Sequence, residues 1–277
     1  MIDGNTTLLA HIGFPTHTFT APLIYNPYFE QAGINAVVVP MGCREANFPA
    51  FLKAVFSLEN VGGALVTMPH KVTTVGLVDE VSAAASIAGA CNAVRRTADG
   101  RLQGDLFDGE GFVRGLARKG CTIAGASALV VGSGGVGSAI AASLAGVGVA
   151  RLSLFDAMPG SANALAARLK KHHASLEVAA GTNDPAGYDI VVNATPLGMK
   201  DGDPLPFDIA RVAPAAFVGE VVLKPAMTPL LLAAQARGCR FQVGTDMLFE
   251  QIPAYLEYFG LPSTTPDALR AVARLAR

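Results

Sequence analysis

The sequence predicts an α/β protein built from two lobes, and three observations carry that expectation. Short apolar runs alternate with helical patterns from one end of the chain to the other, the alternation restarts near residue 127, and a glycine-rich turn follows the first strand of the second series. At 277 residues the chain exceeds the usual reach of one hydrophobic core, so two domains or one large α/β unit are expected.

In the first series, "LLAHIG", "AVVVPM" and "GGALVT" read as strands, with "APLIYNPYFEQAG" and "NFPAFLKAVFSLE" as the helices between them. This alternation predicts parallel strands covered by helices. The segment "RTADGRLQGDLFDGEG" holds DG and GD turns and reads as a crossing between lobes. The second series runs through "SALVVG", "ARLSLFD", "ALAARLKKHH", "LEVAAG", "YDIVVNAT", "AFVGEVV", "TPLLLAAQARG" and "RFQVG". The tail "TDMLFEQIPAYLEYFG" reads as an amphipathic helix able to return to the first lobe.

Composition narrows the partners. With 21 Lys plus Arg against 22 Asp plus Glu, the net charge of -1 provides neither a basic stripe for nucleic acid nor a polybasic membrane anchor. Small molecules, or a second copy of the chain in a homodimer, are the expected partners. Cys43, Cys91, Cys121 and Cys239 are far apart with no CxxC pair, and no basic segment precedes an early apolar stretch, so a cytoplasmic protein with reduced thiols is expected. Residues 120–150 carry no charge and are long enough to span a membrane, but eight of them are Gly, and they divide into a strand, a turn and a helix. No membrane span is expected.

"VVGSGGVG" places Gly132, Gly134 and Gly137 in G-x-G-x-x-G spacing, with Gly135 and Val136 between, after an apolar strand and before an Ala-rich helix. In that context the first glycine permits a tight turn, the second a close approach to a pyrophosphate, and the third close helix–strand packing. Asp156 ends the next strand, nineteen residues after Gly137, where a carboxylate meets the adenosine ribose. No Arg follows it, since Ala157 and Met158 come next, so NAD is expected as cofactor in preference to NADP.

"GGALVTMPHK" ends an apolar strand at Thr67 and presents Lys71 where α/β sheets bind ligands, and "GDLFDGEG" carries Asp108. A Lys near a carboxylate can shuttle a proton while a nicotinamide takes hydride from a carbinol carbon, but from these residues alone each reads as an ordinary surface charge. His70, beside Lys71, has two readings, cleft-facing or surface, and His11, His17, His172 and His173 lack ligand spacing, so no metal is expected.

At these residues the chain resembles the shikimate/quinate dehydrogenase family. "GxNVTxPxK" appears as "GGALVTMPHK", "GAxNT" as "GACNA", "GxNTDGxG" as "GDLFDGEG", "NATPxGM" as "NATPLGM" and "GxxMLxxQ" as "GTDMLFEQ". The resemblance implies a substrate-binding α/β domain from residues 1–104 and 240–277, and an NAD-binding Rossmann domain from 105–239. It implies Lys71 and Asp108 as the catalytic pair, Thr67, Asn92 and Gln251 as substrate contacts, and Asn193, Thr195 and Pro196 beside the cofactor.

The chain also departs from the family pattern. "GxPIxHSxSPxxHN" aligns without gaps on "GFPTHTFTAPLIYN", anchored by Gly13, Pro15, Pro22 and Asn26, and this puts Phe19 and Ala21 at the two serines that in the family hold the substrate carboxylate. A one-residue shift would use Thr18 and Thr20 instead but would break Pro22 and Asn26. Leu65, Leu106 and Phe107 likewise stand at polar family positions, and Leu223 at the Tyr of the family's "VxDxxYxP". Six apolar replacements point to an NAD-dependent oxidoreductase whose substrate choice has moved away from shikimate. An ordinary shikimate or quinate dehydrogenase, and a non-catalytic dinucleotide-binding sensor, are the alternative expectations.

Overall fold

The computed structural model describes residues 2–275, and the chain divides into two compact units. One comprises the residues up to Phe107 together with those from Ile252 onward, and the other comprises Asp108–Gln251.

The first unit opens with β1 (Thr7–Gly13), α1 (Pro22–Ala32), β2 (Ala36–Gly42), α2 (Phe48–Val55) and β3 (Val61–Val66). It continues with α3 (Lys71–Thr74), β4 (Glu80–Val81), α4 (Ala83–Ala88), β5 (Ala93–Arg96) and β6 (Leu102–Asp105). The strands form one sheet in the order β2-β1-β3-β5-β6-β4. β1 runs parallel to β2 and β3, whereas β5 is antiparallel to both β3 and β6. β4 pairs with β6 in parallel, so the parallel sheet expected from the alternation is interrupted by β5 alone. Asp99-Gly100 makes a hairpin turn in which the Thr97 N–H donates to Arg101 O and Gly100 takes a φ of 85°. The segment read as a crossing is thus largely a hairpin, and the passage to the second unit falls at Phe107/Asp108.

α1 starts with Pro22 in its first turn and stops at Gly33, whose φ of 66° suits a residue without Cβ. Asn26 on this helix clamps β2, its side-chain oxygen accepting from the Val38 N–H at 2.7 Å and its amide donating to Val38 O at 3.0 Å. Ala10 and Ile12 of β1 pack with Phe48, Leu52, Ala64 and Val66 in the core on one face of the sheet. Side chains alternate along a strand, so His11 and Gly13 belong to the opposite face.

The second unit contains α5 (Asp108–Arg118), β7 (Ser127–Val131), α6 (Gly135–Val147), β8 (Arg151–Phe155), α7 (Ser161–His172) and β9 (Glu177–Ala180). β10 (Ile190–Asn193), β11 (Phe217–Glu220), α8 (Pro229–Ala236) and β12 (Arg240–Gln242) follow. Its sheet is wholly parallel, in the order β12-β11-β10-β7-β8-β9. This is the doubly wound Rossmann arrangement, and the order reverses between β7 and β10, where a ligand crevice is expected. Its central strands are buried on both faces, which explains their continuous apolar sequence. Because β12 pairs with β11, residues 240–251 belong to this unit and not, as the resemblance implies, to the substrate-binding domain.

α9 (Gly244–Tyr258) follows β12, with its first residues in the second unit and its last in the first, and α10 (Pro266–Val272) completes the described chain. Within the second unit, Lys119 bonds Asp246 at 2.6 Å and Arg118 bonds Glu250 at 3.1 Å. Within the first, Arg95 stacks on the Tyr258 ring and donates to Tyr258 O, while Phe259 fills the space beside Gly63. Among the described residues, no helix is long and apolar enough to cross a membrane.

Candidate active site and dinucleotide cavity

The second unit holds a cavity of about 370 Å³ at the carboxyl ends of β7, β8 and β10. Val131, Gly132 and Gly134 line one side, Phe155, Asp156 and Ala157 another, and Ala194, Thr195, Pro196 and Leu197 the third. Gly132 has a φ of 105°, and a Cβ there would strike the Ala194 carbonyl. A Cβ at Gly137 would collide with the Gly132 carbonyl, so this glycine permits the close approach of α6 to the strand. Gly134 and Gly135 face open space, and their side of the turn leads into the N-terminus of α6, where backbone N–H groups favour phosphate.

Asp156 occupies the edge of this cavity. One carboxylate oxygen accepts from the Ser133 N–H at 2.6 Å and the other from the Met158 N–H at 2.8 Å, which ties the end of β8 to the glycine turn. Asn193 has a different place. It is fully buried, its amide donating to Glu220 at 2.9 Å and to Leu197 O at 3.0 Å, while its oxygen accepts from the Thr195 N–H and hydroxyl. Asn193 therefore shapes the turn that carries Thr195 and Pro196 rather than lining the cavity itself. Glu220 was not singled out by the sequence, although it stands at the acid of the family's "VxDxxYxP". Its carboxylate accepts from Asn193, the Val221 and Val222 N–H groups and the Thr228 hydroxyl, and burial pushes its pKa up against the pull of those bonds.

The first unit brings another group of side chains together. The Phe19 ring stacks on the His11 imidazole, with centroids 4.1 Å apart and planes at 29°. Its tip reaches Gly13, where a Cβ would come within 2.9 Å of the phenyl ring and would also strike the Thr67 methyl. The backbone registers β1 against β3 with His11 directly opposite Leu65, and the Thr67 N–H donates to Ile12 O. Phe19, Thr67, His11 and Leu65 thus share one sheet face. Ala21 is the residue before α1, and Thr18 is exposed, its hydroxyl donating to the Pro15 carbonyl of its own turn.

Lys71 opens α3, and its carbonyl accepts from the Cys91 N–H at 2.9 Å. The next residue, Asn92, is buried; its oxygen accepts from the Phe107 N–H at 3.0 Å, while its side-chain Nδ2 has no partner. A buried amide donor left unmatched is costly, and a ligand oxygen would satisfy it. In the second unit, Asp108 begins α5 and is buried, and Gln251 of α9 packs against Gly111 with its Oε1 also lacking a partner. The remaining apolar replacements differ in kind. The Phe107 ring packs on Tyr255 at 4.8 Å and Tyr258 at 5.2 Å, Leu106 is buried, and Leu223 is exposed. His70 takes neither place expected for it: it is buried, stacked on Phe48 at 4.0 Å, with Nε2 2.8 Å from Cys43 O.

The doubly wound sheet and its glycine-turn cavity define a dinucleotide-binding protein that carries a second α/β domain. The family model for the shikimate dehydrogenase substrate binding domain matches residues 12–94. The shikimate dehydrogenase (NADP(+)) of Acidiphilium cryptum is 36% identical over 275 residues, covering 99% of this chain and 98% of that protein. A crystal structure of shikimate 5-dehydrogenase from Listeria monocytogenes, in complex with shikimate and NAD, superposes with a TM-score of 0.91 at 26% identity, covering 98% of this chain and 97% of that one. Quinate dehydrogenase from Corynebacterium glutamicum, in complex with NAD, gives a TM-score of 0.84 at 30% identity, covering 98% and 99% respectively. The chain belongs to the shikimate/quinate dehydrogenase family and is an NAD(P)-dependent dehydrogenase acting on CH–OH groups.

The buried imidazole in this group has a consequence for acid stability. Burial lowers the His11 pKa from 6.5 to about 4, so the folded protein holds the ring neutral where the unfolded chain would protonate it. This contribution is fully present above pH 6.5 and is lost as pH falls from there towards 4. By linkage it amounts to about 2 kcal/mol between pH 7 and pH 4.5. Urea unfolding at those two pH values should show His11→Phe losing about 2 kcal/mol less than the wild type. Parallel losses in the two proteins would contradict a neutral buried His11.

Proposed function

We propose that the protein exchanges hydride between NAD and a ring hydroxyl or ketone of a small molecule that lacks the carboxylate of shikimate. The observation that carries this reading is the Phe19 ring, stacked on His11 beside Thr67 where the family motif puts a carboxylate-holding serine. A carboxylate buried against that face without donors would cost several kcal/mol. In the first unit, Thr67 and the unpartnered Nδ2 of Asn92 remain as hydrogen-bonding groups for substrate hydroxyls. Ala21 provides no hydroxyl, and Leu223 stands where the family has a tyrosine.

Bound NAD supplies the hydride acceptor. Gly132, Gly134, Gly135, Val136 and Gly137 form the turn and helix start for its pyrophosphate, and Thr195 and Pro196 border the same cavity. Asp156 would accept hydrogen bonds from the ribose hydroxyls and repel a 2′-phosphate, and Ala157 offers that phosphate no guanidinium. Lys71 would take the hydroxyl proton during oxidation and return it during reduction, and Asp108 is the second catalytic residue that the family motifs imply.

A second reading, an ordinary shikimate or quinate dehydrogenase, is favoured by the names of the relatives and by Thr18 and Thr20 on either side of Phe19. The Thr18 hydroxyl, turned to Pro15 O, speaks against it. A sensor without turnover would have no use for both Lys71 and Asp108.

Initial rates with NAD and NADP against shikimate, quinate and their methyl esters separate these readings. The esters should exceed the acids in kcat/KM by about tenfold, and NAD should bind at least about tenfold more tightly than NADP. A kcat/KM for shikimate of about 10⁴ M⁻¹s⁻¹ would favour the ordinary enzyme, and equal or tighter NADP binding would remove the role given to Asp156. Lys71→Ala and Asp108→Ala should each lower kcat about a hundredfold with folding intact. Undiminished turnover in both variants would overturn the proton-transfer pair.

A further inference from the structure

His11 is a buried polar residue that none of the family motifs includes. It lies on a central strand with Pro40 beside it on β2 and Leu65 beside it on β3, and it is only 8% exposed. Its Nδ1 is buried and has no hydrogen-bond partner among the described residues. Nothing in the packing requires an imidazole there, since the Phe19 ring would stack equally well on a phenyl ring. An apolar residue would also avoid leaving a buried nitrogen unmatched.

We propose that His11 is a specificity-determining residue, whose imidazole hydrogen-bonds an uncharged oxygen at the end of the substrate where shikimate carries its carboxylate. Three observations place it there. His11 shares its sheet face with Gly13 and Thr67, it is paired directly with Leu65 at a polar position of the family motif, and it is covered by Phe19 at a serine position. Phe19, Leu65 and Ala21 contribute no hydrogen-bonding side-chain atom, so the imidazole and the Thr67 hydroxyl are the polar groups of this face.

The chemistry of the ring fits an uncharged partner. A neutral imidazole presents one N–H donor and one lone pair, so it can serve a hydroxyl, a ketone or an ester carbonyl without a counter-charge. Burial keeps the ring neutral near pH 7. The inference rests on the substrate reading above and deepens it by naming the residue that reads the altered end.

Methyl shikimate and shikimate, each with NAD, are the probes, applied to the full chain labelled with ¹⁵N-histidine and to His11→Phe. The variant keeps the stacked ring and removes both nitrogens. Methyl shikimate should move the His11 Nδ1 resonance of the wild type, and His11→Phe should raise its KM about tenfold while kcat stays within about threefold. A preference of the wild type for methyl shikimate combined with an unmoved Nδ1 signal, or with a KM in His11→Phe within about twofold of wild type, overturns the role of His11 and leaves the substrate reading standing. A wild type that prefers shikimate, or that neither binds nor turns over the ester, overturns the substrate reading and the role of His11 with it. His11→Gln separates loss of the nitrogen from loss of fold: recovery of part of the ester KM supports the hydrogen bond, and none opposes it.

Discussion

Alternation along β1 is the constraint on which the first unit depends. Ala10 and Ile12 are committed to the core with Phe48 and Leu52, so whatever stands at 11 and 13 must face the other side of the sheet. Gly13 leaves room there, and Phe19 takes it, laid on His11 with its tip against the place a Cβ would occupy. Asn26 holds the following helix to β2 through both of its amide atoms, so the loop that carries Phe19 has a fixed exit. The character of that sheet face is therefore set by a few residues.

The second unit is organised by satisfied backbone rather than by exposed chemistry. Glu220, fully buried, joins the ends of β10 and β11 to the start of α8 by accepting from Asn193, two backbone N–H groups and Thr228. Asn193 passes that order to the turn bordering the cavity, and Asp156 does the same for the glycine turn through the Ser133 N–H. A cavity whose walls are fixed before a ligand arrives loses little further ordering entropy on binding. Gly134 and Gly135 stay open because a phosphate, not protein, is the expected neighbour.

Much of this was legible in the sequence, for reasons that differ by residue. The glycine turn, Asp156 and the two series of strands and helices were readable because spacing and apolar runs report local geometry. The β5–β6 hairpin is not legible because a DG turn suits a crossing between lobes as well as a hairpin, and strand direction is decided by pairing that no short window contains. Phe107 reads as a lost polar contact, but its ring is in an aromatic group with Tyr255 and Tyr258, residues about 150 positions away in the chain. His11 was passed over for want of metal-ligand spacing; its alternation with Ala10 and Ile12 held the signal, but only the sheet register puts it opposite Leu65. Glu220 had a motif position and no evident partner until the fold brought Asn193 and Thr228 to it.

The most direct test is the kcat/KM for shikimate of the double variant Phe19→Ser/Ala21→Ser, compared with wild type at saturating NAD. A hydroxyl hydrogen bond to a charged group is worth roughly 1.5–3 kcal/mol, and removing the phenyl ring opens the space such bonds need, so a rise of about tenfold or more is expected. A folded double variant with no gain, or a wild type already near 10⁴ M⁻¹s⁻¹ on shikimate, an ordinary enzyme value, would contradict the replacement of a carboxylate site by an apolar face.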